Sequence, residues 1–392
     1  MNYLSSRDLW LMRLWYFFRF GGLGFYFPFI SIFYHQRGLN GTQIGWLATI
    51  ASITAVLLAP LWGHWSDRKR GILGLLQLAL LGSGTAMLLI SLQSHFAFMA
   101  IFVAMESLSS AGIEPLSNLQ TLAVLNSSRR TDFGNIRLWG SLGYAITAPF
   151  CGWLSEKYGL ITIFIAYGLA NLANILLLQL LKQRTASVKP SDTISPTPSL
   201  KEVIVRQTKS PIMIGLALAF IVNTFGISGI LRFEWLFLKQ LNARYTLVGA
   251  ASSLQAIIEM PVMYMGDKLR NRIGSLNILL LGFVFRAIST LPVLIYPAVI
   301  SVYIYRVLTA SGFALAMVGM VPFIAERTTD LERSTVMAFY SVTLSSLTMM
   351  IASPINGLIF DRVGPYWLYV ITLFCSTIAC ILIWITSRKN KN

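Results

Sequence analysis

Ile72-Leu73-Gly74-Leu75-Leu76-Gln77-Leu78-Ala79-Leu80-Leu81-Gly82-Ser83-Gly84-Thr85-Ala86-Met87-Leu88-Leu89-Ile90-Ser91 runs for twenty residues without a charge. A helix rises 1.5 Å per residue, so about 20 such residues cross a hydrocarbon core of roughly 30 Å. Arg68-Lys69-Arg70-Gly71 stands before this run and Gln93-Ser94-His95 after it. The same alternation of long apolar run and short polar break continues in both directions. We read twelve spans: 8–35, 41–63, 71–92, 95–125, 134–156, 159–182, 211–239, 244–265, 273–292, 297–325, 335–360 and 364–387. The first is too long for a cleaved leader and lacks a small-residue cleavage site, so it counts as a span. Composition agrees. Apolar residues make up 55% of the 392 and charged residues 12%, with a mean hydropathy of +0.66. A soluble domain carries about a quarter charged residues. The expected fold is an all-α polytopic membrane protein.

The net charge of +16 raises the question of nucleic acid, and its distribution answers it. About 21 of the 31 Lys and Arg fall in the two termini and the even-numbered loops, the pattern of cytoplasm-facing segments. The basic loops then orient the chain and meet anionic lipid rather than a nucleic acid. Both termini are expected in the cytoplasm and the chain in the cell's inner (plasma) membrane. Cys151, Cys375 and Cys380 all sit in apolar spans and form no disulfide framework or metal spacing. No cofactor or metal is expected.

Residues 183–209 form the one long polar stretch, including Ser195-Pro196-Thr197-Pro198, a composition that cannot build a core. It divides the chain into an N-terminal six-helix bundle (1–182), a cytoplasmic linker (183–209) and a C-terminal six-helix bundle (210–392). The halves resemble each other weakly at an offset of about 200–205 residues. Pro60 to Gly71 recurs as Pro261 to Gly274. Gly152-Trp153-Leu154-Ser155-Glu156-Lys157-Tyr158-Gly159 recurs as Gly357-Leu358-Ile359-Phe360-Asp361-Arg362-Val363-Gly364. Both matches fall in register at equivalent loops. Parallel repeats of this kind are a transporter architecture, binding solute near mid-depth and opening it to each side in turn.

The loop after the second span, Gly63-His64-Trp65-Ser66-Asp67-Arg68-Lys69-Arg70-Gly71, resembles the cytoplasmic signature of the major facilitator superfamily. That resemblance implies a conformational loop carried by Gly63, Asp67 and Arg68, with Asp67 suited to a neighbouring helix N-terminus. A narrower likeness is to the lactose-permease-like branch, with its phenylpropionate permease and nucleoside–proton symporter relatives. Gly24-Phe25-Tyr26-Phe27-Pro28-Phe29 is similar to that branch's first helix, and Phe133-Gly134-Asn135-Ile136-Arg137-Leu138-Trp139-Gly140-Ser141-Leu142-Gly143-Tyr144 to its fifth. Glu259-Met260-Pro261-Val262-Met263 and Phe285-Arg286-Ala287 fit its eighth and ninth. The resemblance implies two six-helix bundles of the major facilitator fold, and substrate contacts from Arg137, Tyr144, Glu259, Asn118 and Tyr26.

Charges inside a bilayer are costly and so carry information. Within spans we find Arg19, Glu106, Glu114, Arg137, Arg232, Glu234, Glu259, Arg286 and Arg306. Each also has a plain reading, as a structural ion pair or a side chain snorkelling to the headgroups. Hydropathy alone puts Arg137 near the cytosolic end of the fifth span; the resemblance moves it inward, onto substrate. Tyr144 lies two turns on, along the same face. A guanidinium and an aromatic ring there can bond and stack against cargo. In the resembling branch an acid at Glu259 serves substrate and proton, with Arg286 or Arg306 as its cationic partner. Glu106 and Glu114 lie eight residues apart on one face, and either can meet Arg137. Arg232 and Glu234 fall near the outer end of the seventh span, where snorkelling or an external gate fits.

Departures from the branch matter. Asn118 stands where relatives resemble an aspartate and cannot ionise. Leu308-Thr309 occupies the place of a histidine, and Gly312 the place where lactose permease has a proton-carrying carboxylate. Proton coupling must then run through Glu259, Glu114 or Glu234, with Glu106 as a further ion-pairing acid. The expected function is secondary active transport, with proton-coupled import of a small polar or anionic organic solute by alternating access. The expected partners are that solute, protons and the bilayer, around a monomer. Efflux of drugs or metabolites by antiport is the alternative. An intramembrane enzyme, a receptor or an assembly factor is a further one. For an enzyme the sequence offers no phosphate loop, zinc motif or nucleophile elbow.

Overall fold

The computed structural model describes residues 6–67, 72–125, 133–181, 206 and 210–389. Among them every regular element is helical. A lipid core offers backbone groups no water, so each segment must satisfy its own N–H and C=O groups. In chain order the helices are α1 (Ser6–Tyr26), α2 (Ile30–Gln36), α3 (Gly41–Asp67), α4 (Ile72–Ser91), α5 (Phe96–Ser110), α6 (Ile113–Val124), α7 (Phe133–Tyr158) and α8 (Thr162–Leu180). They continue as α9 (Pro211–Gln240), α10 (Tyr245–Ile273), α11 (Ser275–Ser289), α12 (Leu291–Ile295), α13 (Val299–Ala325), α14 (Asp330–Ala338), α15 (Leu344–Val363) and α16 (Tyr366–Lys389).

Ten segments among the described residues are long and apolar enough to cross a membrane. The more polar α7 and α15 occupy the remaining two of the twelve places. Leu169, Leu172, Leu176 and Leu180 make one exposed apolar stripe along α8, a surface suited to lipid. Several spans are less continuous than their hydropathy suggests. The first breaks between Tyr26 and Ile30, around Pro28. The fourth breaks at Ala111-Gly112, because Pro115 removes the N–H that would bond residue 111 and its ring crowds that carbonyl. The ninth breaks at Thr290, ahead of Pro292. The eleventh begins earlier than its apolar run, at Asp330, and carries a π-turn over Phe339–Thr343.

The chain forms two compact units. Unit 1 comprises Met1–Lys189 with Ala243–Ser253, and unit 2 Pro190–Asn242 with Leu254–Asn392. Helix α10 therefore starts in unit 1 and finishes in unit 2. In unit 1, α1 runs against α7 and α8, and α4 against α5 and α8. Its core gathers Met12, Trp15, Tyr16, Leu76, Leu80 and Ile113. In unit 2 the tight pairs are α11 with α13 and α9 with α16, around Leu216, Phe283, Met320 and Phe323.

Lipid is as apolar as leucine, so helices associate through close packing, and small residues permit it. A Cβ on Gly152 of α7 would run into the Tyr245 backbone of α10, and one on Gly249 into Ala148. In unit 2 a Cβ on Gly282 of α11 would stand 2.5 Å from the Ala316 nitrogen of α13.

Positive φ marks the turns after five helices among the described residues, Gly274 (φ 86°) following α10. Gly38 (φ 88°) and Asn242 (φ 59°) follow α2 and α9, and Gly159 (φ 81°) and Gly364 (φ 86°) follow α7 and α15. Such residues close a helix by returning N–H groups to its last carbonyls. Gly38 donates to His35 and Gly159 to Ser155.

Candidate solute site

Unit 1 builds its polar interior on α1. Tyr16 and Phe20, one turn apart, stack with centroids 6.1 Å apart. The Tyr16 hydroxyl donates to Asn118 Oδ1 at 3.0 Å and lies 3.2 Å from Thr121 Oγ1. Across the Phe20 ring, at 4.8 Å from its centroid, lies the guanidinium of Arg137. Arg137 Nη2 reaches Glu114 Oε1 at 3.1 Å, while its Nη1 is buried without an acceptor. Both side chains of this pair stay about half exposed, at 41% and 55%. Of the two acids on the fourth span, Glu114 is thus the one that meets Arg137.

Glu106 belongs to a separate cluster. Ser83 donates to Glu106 Oε1 at 2.9 Å, so its hydroxyl must accept from Tyr167, 2.7 Å away. Tyr26 packs edge-on against Tyr167 at 4.9 Å, and Arg19 is close enough to act on Glu106 by its charge. Tyr144 turns to another partner, sharing a 2.5 Å hydrogen bond with Ser252 at the start of α10. Gly63 and Asp67 end the backbone of α3, and Arg68 lies outside the described residues.

Unit 2 encloses a cavity of about 380 Å³ lined by α9, α10, α11, α13 and α15. Glu234 of α9 and Arg306 of α13 pair at its wall, with side chains only 1% and 5% exposed. Arg306 Nε donates to Glu234 Oε1 at 2.8 Å, and Nη2 takes Oε2. The third arm, Nη1, donates to Gln255. Gln255 in turn gives its amide N–H to Glu259 Oε1 at 2.9 Å. This corrects the snorkelling reading of Glu234. An apolar window reports how deep a segment lies, not which way one residue faces, and Glu234 faces the interior. Arg306 is not the direct partner of Glu259 either; an amide stands between them.

Arg286 of α11 lines the same cavity, with its guanidinium 5.6 Å from the Phe313 ring centroid. Its Nε is buried and has no acceptor. Arg306 lies over Trp235 at 4.3 Å, and Tyr305 and Tyr369 meet edge-on at 5.2 Å. Among the described residues, polar and aromatic side chains thus gather in two clusters in unit 1 and around one cavity in unit 2. No group of three or more metal-ligating side chains occurs among the described residues.

Residues 9–371 match the MFS_1 like family. The chain belongs to that family. It is thus a multi-pass membrane protein and a secondary transporter of the major facilitator type. It is 26% identical to the maltose permease of Geobacillus stearothermophilus over 380 residues, which cover 96% of this chain and 94% of that protein. It is 24% identical to the sucrose permease of Escherichia coli, over 90% of this chain and 87% of that one. Its fold is similar to the crystal structure of the nucleoside transporter NupG, with a TM-score of 0.80 at 14% identity over 98% and 99% of the two chains.

Sequence reasoning missed several residues of this transporter's polar clusters. Phe20 carries the Arg137 cation, and its only signal is the i,i+4 spacing from Tyr16. Gln255 and Tyr305 join the buried charges of unit 2, but an uncharged polar residue in a span raises no flag of cost. Ser252 is as quiet, since Ser is common in membrane helices and bonds its own backbone.

Proposed function

We propose that this transporter imports a hydroxylated organic solute of sugar size together with protons. The permease relatives named for maltose and sucrose support the solute class. The observation that carries the coupling is the setting of Glu259. Glu234 is held by Arg306 and Glu114 by Arg137, so their charges are fixed by a partner. Glu259 is held by the Gln255 amide N–H rather than by a cation, while the Gln255 oxygen stays on Arg306. A proton can then come and go on Glu259 without breaking an ion pair.

In this reading Arg137, with Phe20 and Asn118, supplies solute contacts in unit 1, and Tyr26 and Tyr144 contribute aromatic surface. Glu106 and Glu234 stay structural. The basic loops and both termini face the cytoplasm of the plasma membrane, and residues 183–209 link the two halves.

The test is uptake of labelled maltose, sucrose and glucose into proteoliposomes under an imposed pH gradient. Acid outside should drive accumulation of at least one of them. Glu259→Gln should keep solute exchange at equilibrium and lose gradient-driven accumulation by on the order of tenfold or more, as expected when a coupling acid is removed. Acceleration by an alkaline exterior would indicate efflux by antiport instead, and an unaltered Glu259→Gln would remove that residue from coupling.

A further inference from the structure

The direct ion pairing around the unit 2 cavity is uneven. Arg306 has an acceptor for each of its three nitrogens, on Glu234 or Gln255. Arg286 does not. Its Nε is buried without an acceptor, and no carboxylate among the described residues forms an ion pair with it. Glu259 acts on it only through charge, and its Oε1 already belongs to Gln255. The other titratable groups facing this region are the phenols of Tyr305 and Tyr369, which bring no negative charge at neutral pH.

Gly312 shows how the imbalance is built. A Cβ there would stand 2.9 Å from Arg286 Cγ and 3.0 Å from the Arg286 nitrogen. The absent side chain is what lets the arginine stem lie across α13. A carboxylate at this place would supply a resident counter-ion, and glycine excludes it. A guanidinium does not discharge by losing its proton, so an unpaired one in a low-dielectric cavity calls for an anion.

We infer that Arg286 is the seat of an anionic group on the solute, and that this transporter carries a sugar-sized monocarboxylate. The inference rests on the transport reading above. One guanidinium without a direct ion-pair partner matches one negative charge. The planar carboxylate also fits the guanidinium fork, which a tetrahedral dianion would leave overcharged beside Glu234. The cavity of about 380 Å³ suits a body of this size. Asn223, Thr224 and Thr309 offer partners for its hydroxyls, and Phe313 a face for its ring.

The experiment compares matched pairs, D-glucuronate with D-glucose and D-galacturonate with D-galactose. The purified full chain is used, with sodium chloride holding ionic strength equal. Binding is read by calorimetry and thermal stabilisation. The acid of at least one pair should bind tenfold or more tightly than its neutral partner. Arg286→Gln should abolish that preference, and Arg286→Lys, which keeps charge but loses the fork, should retain part of it. Should Arg286→Gln fail to purify as a monodisperse species, the wild-type pairs and Arg286→Lys still decide the matter. Equal or tighter binding of the neutral sugars, binding of neither member of any pair, or an acid preference that survives Arg286→Gln overturns the inference. Proteoliposome uptake separates the two readings. Neutral-sugar uptake without acid preference leaves transport standing and removes the monocarboxylate. Acid-selective binding without any uptake does the reverse.

Discussion

At Glu234 and Arg306 the charges are so deeply buried that removing one strands the other. Losing one partner of such a pair costs about 3–5 kcal/mol, whereas replacing both with apolar residues is often neutral. Glu234→Gln and Arg306→Met should each lower the midpoint of thermal unfolding markedly, and the double change Glu234→Leu with Arg306→Met should restore most of it. A double variant no more stable than either single one would show that the pair is not a closed unit. At Phe20 the expected change is in binding. The ring face under Arg137 is worth roughly 1 kcal/mol, so Phe20→Ala should weaken solute affinity about fivefold while leaving the fold intact. Arg137→Lys should cost more, because it surrenders the fork as well as the stacking surface. Arg137 and Glu259 are legible in the sequence, since a charge in an apolar run stands out by its cost. Their settings are not, because Phe20 reaches Arg137 from a distant helix, and Gln255, one turn before Glu259, carries no charge of its own.

Helices such as α7 and α10 meet where glycines let backbones touch, and that contact sets what an element tolerates. Gly152→Leu should abolish stable expression or transport, since its side chain would have to pass through the Tyr245 backbone. Gly74→Ala is the control. It faces open space on α4 and should be neutral or stabilising by up to about 1 kcal/mol. Equal damage from both would mean that glycine is needed for something other than close packing. Hydropathy makes the spans themselves plain. Their breaks are plain only where proline marks them, as at Pro28, Pro115 and Pro292. The π-turn at Phe339–Thr343 contains neither glycine nor proline, so its sequence gives no local warning. It falls just before Ser345 and Met349, which line the unit 2 cavity, a position where π-turns often serve a site.

The whole molecule is divided less simply than its linker suggests, because residues 243–253 follow Asn242 yet pack in unit 1. A chain severed within 183–209 should therefore hold together. Fragments 1–189 and 190–392, produced in one cell, should copurify, and Gly152→Leu in the first should separate them; fragments that do not copurify would count against that packing. The positive-φ turns carry a last consequence. Gly38 and Asn242, like Gly159 and Gly364, stand about 205 residues apart. Between those positions the two halves share only a weak sequence resemblance. Their turning points share a positive φ, as expected if an ancestral six-helix gene was duplicated and fused. Asn242 is the one place where glycine no longer holds the corner, and asparagine, which tolerates φ > 0, is among the few residues by which that ancestor could have drifted without losing its way back into the membrane.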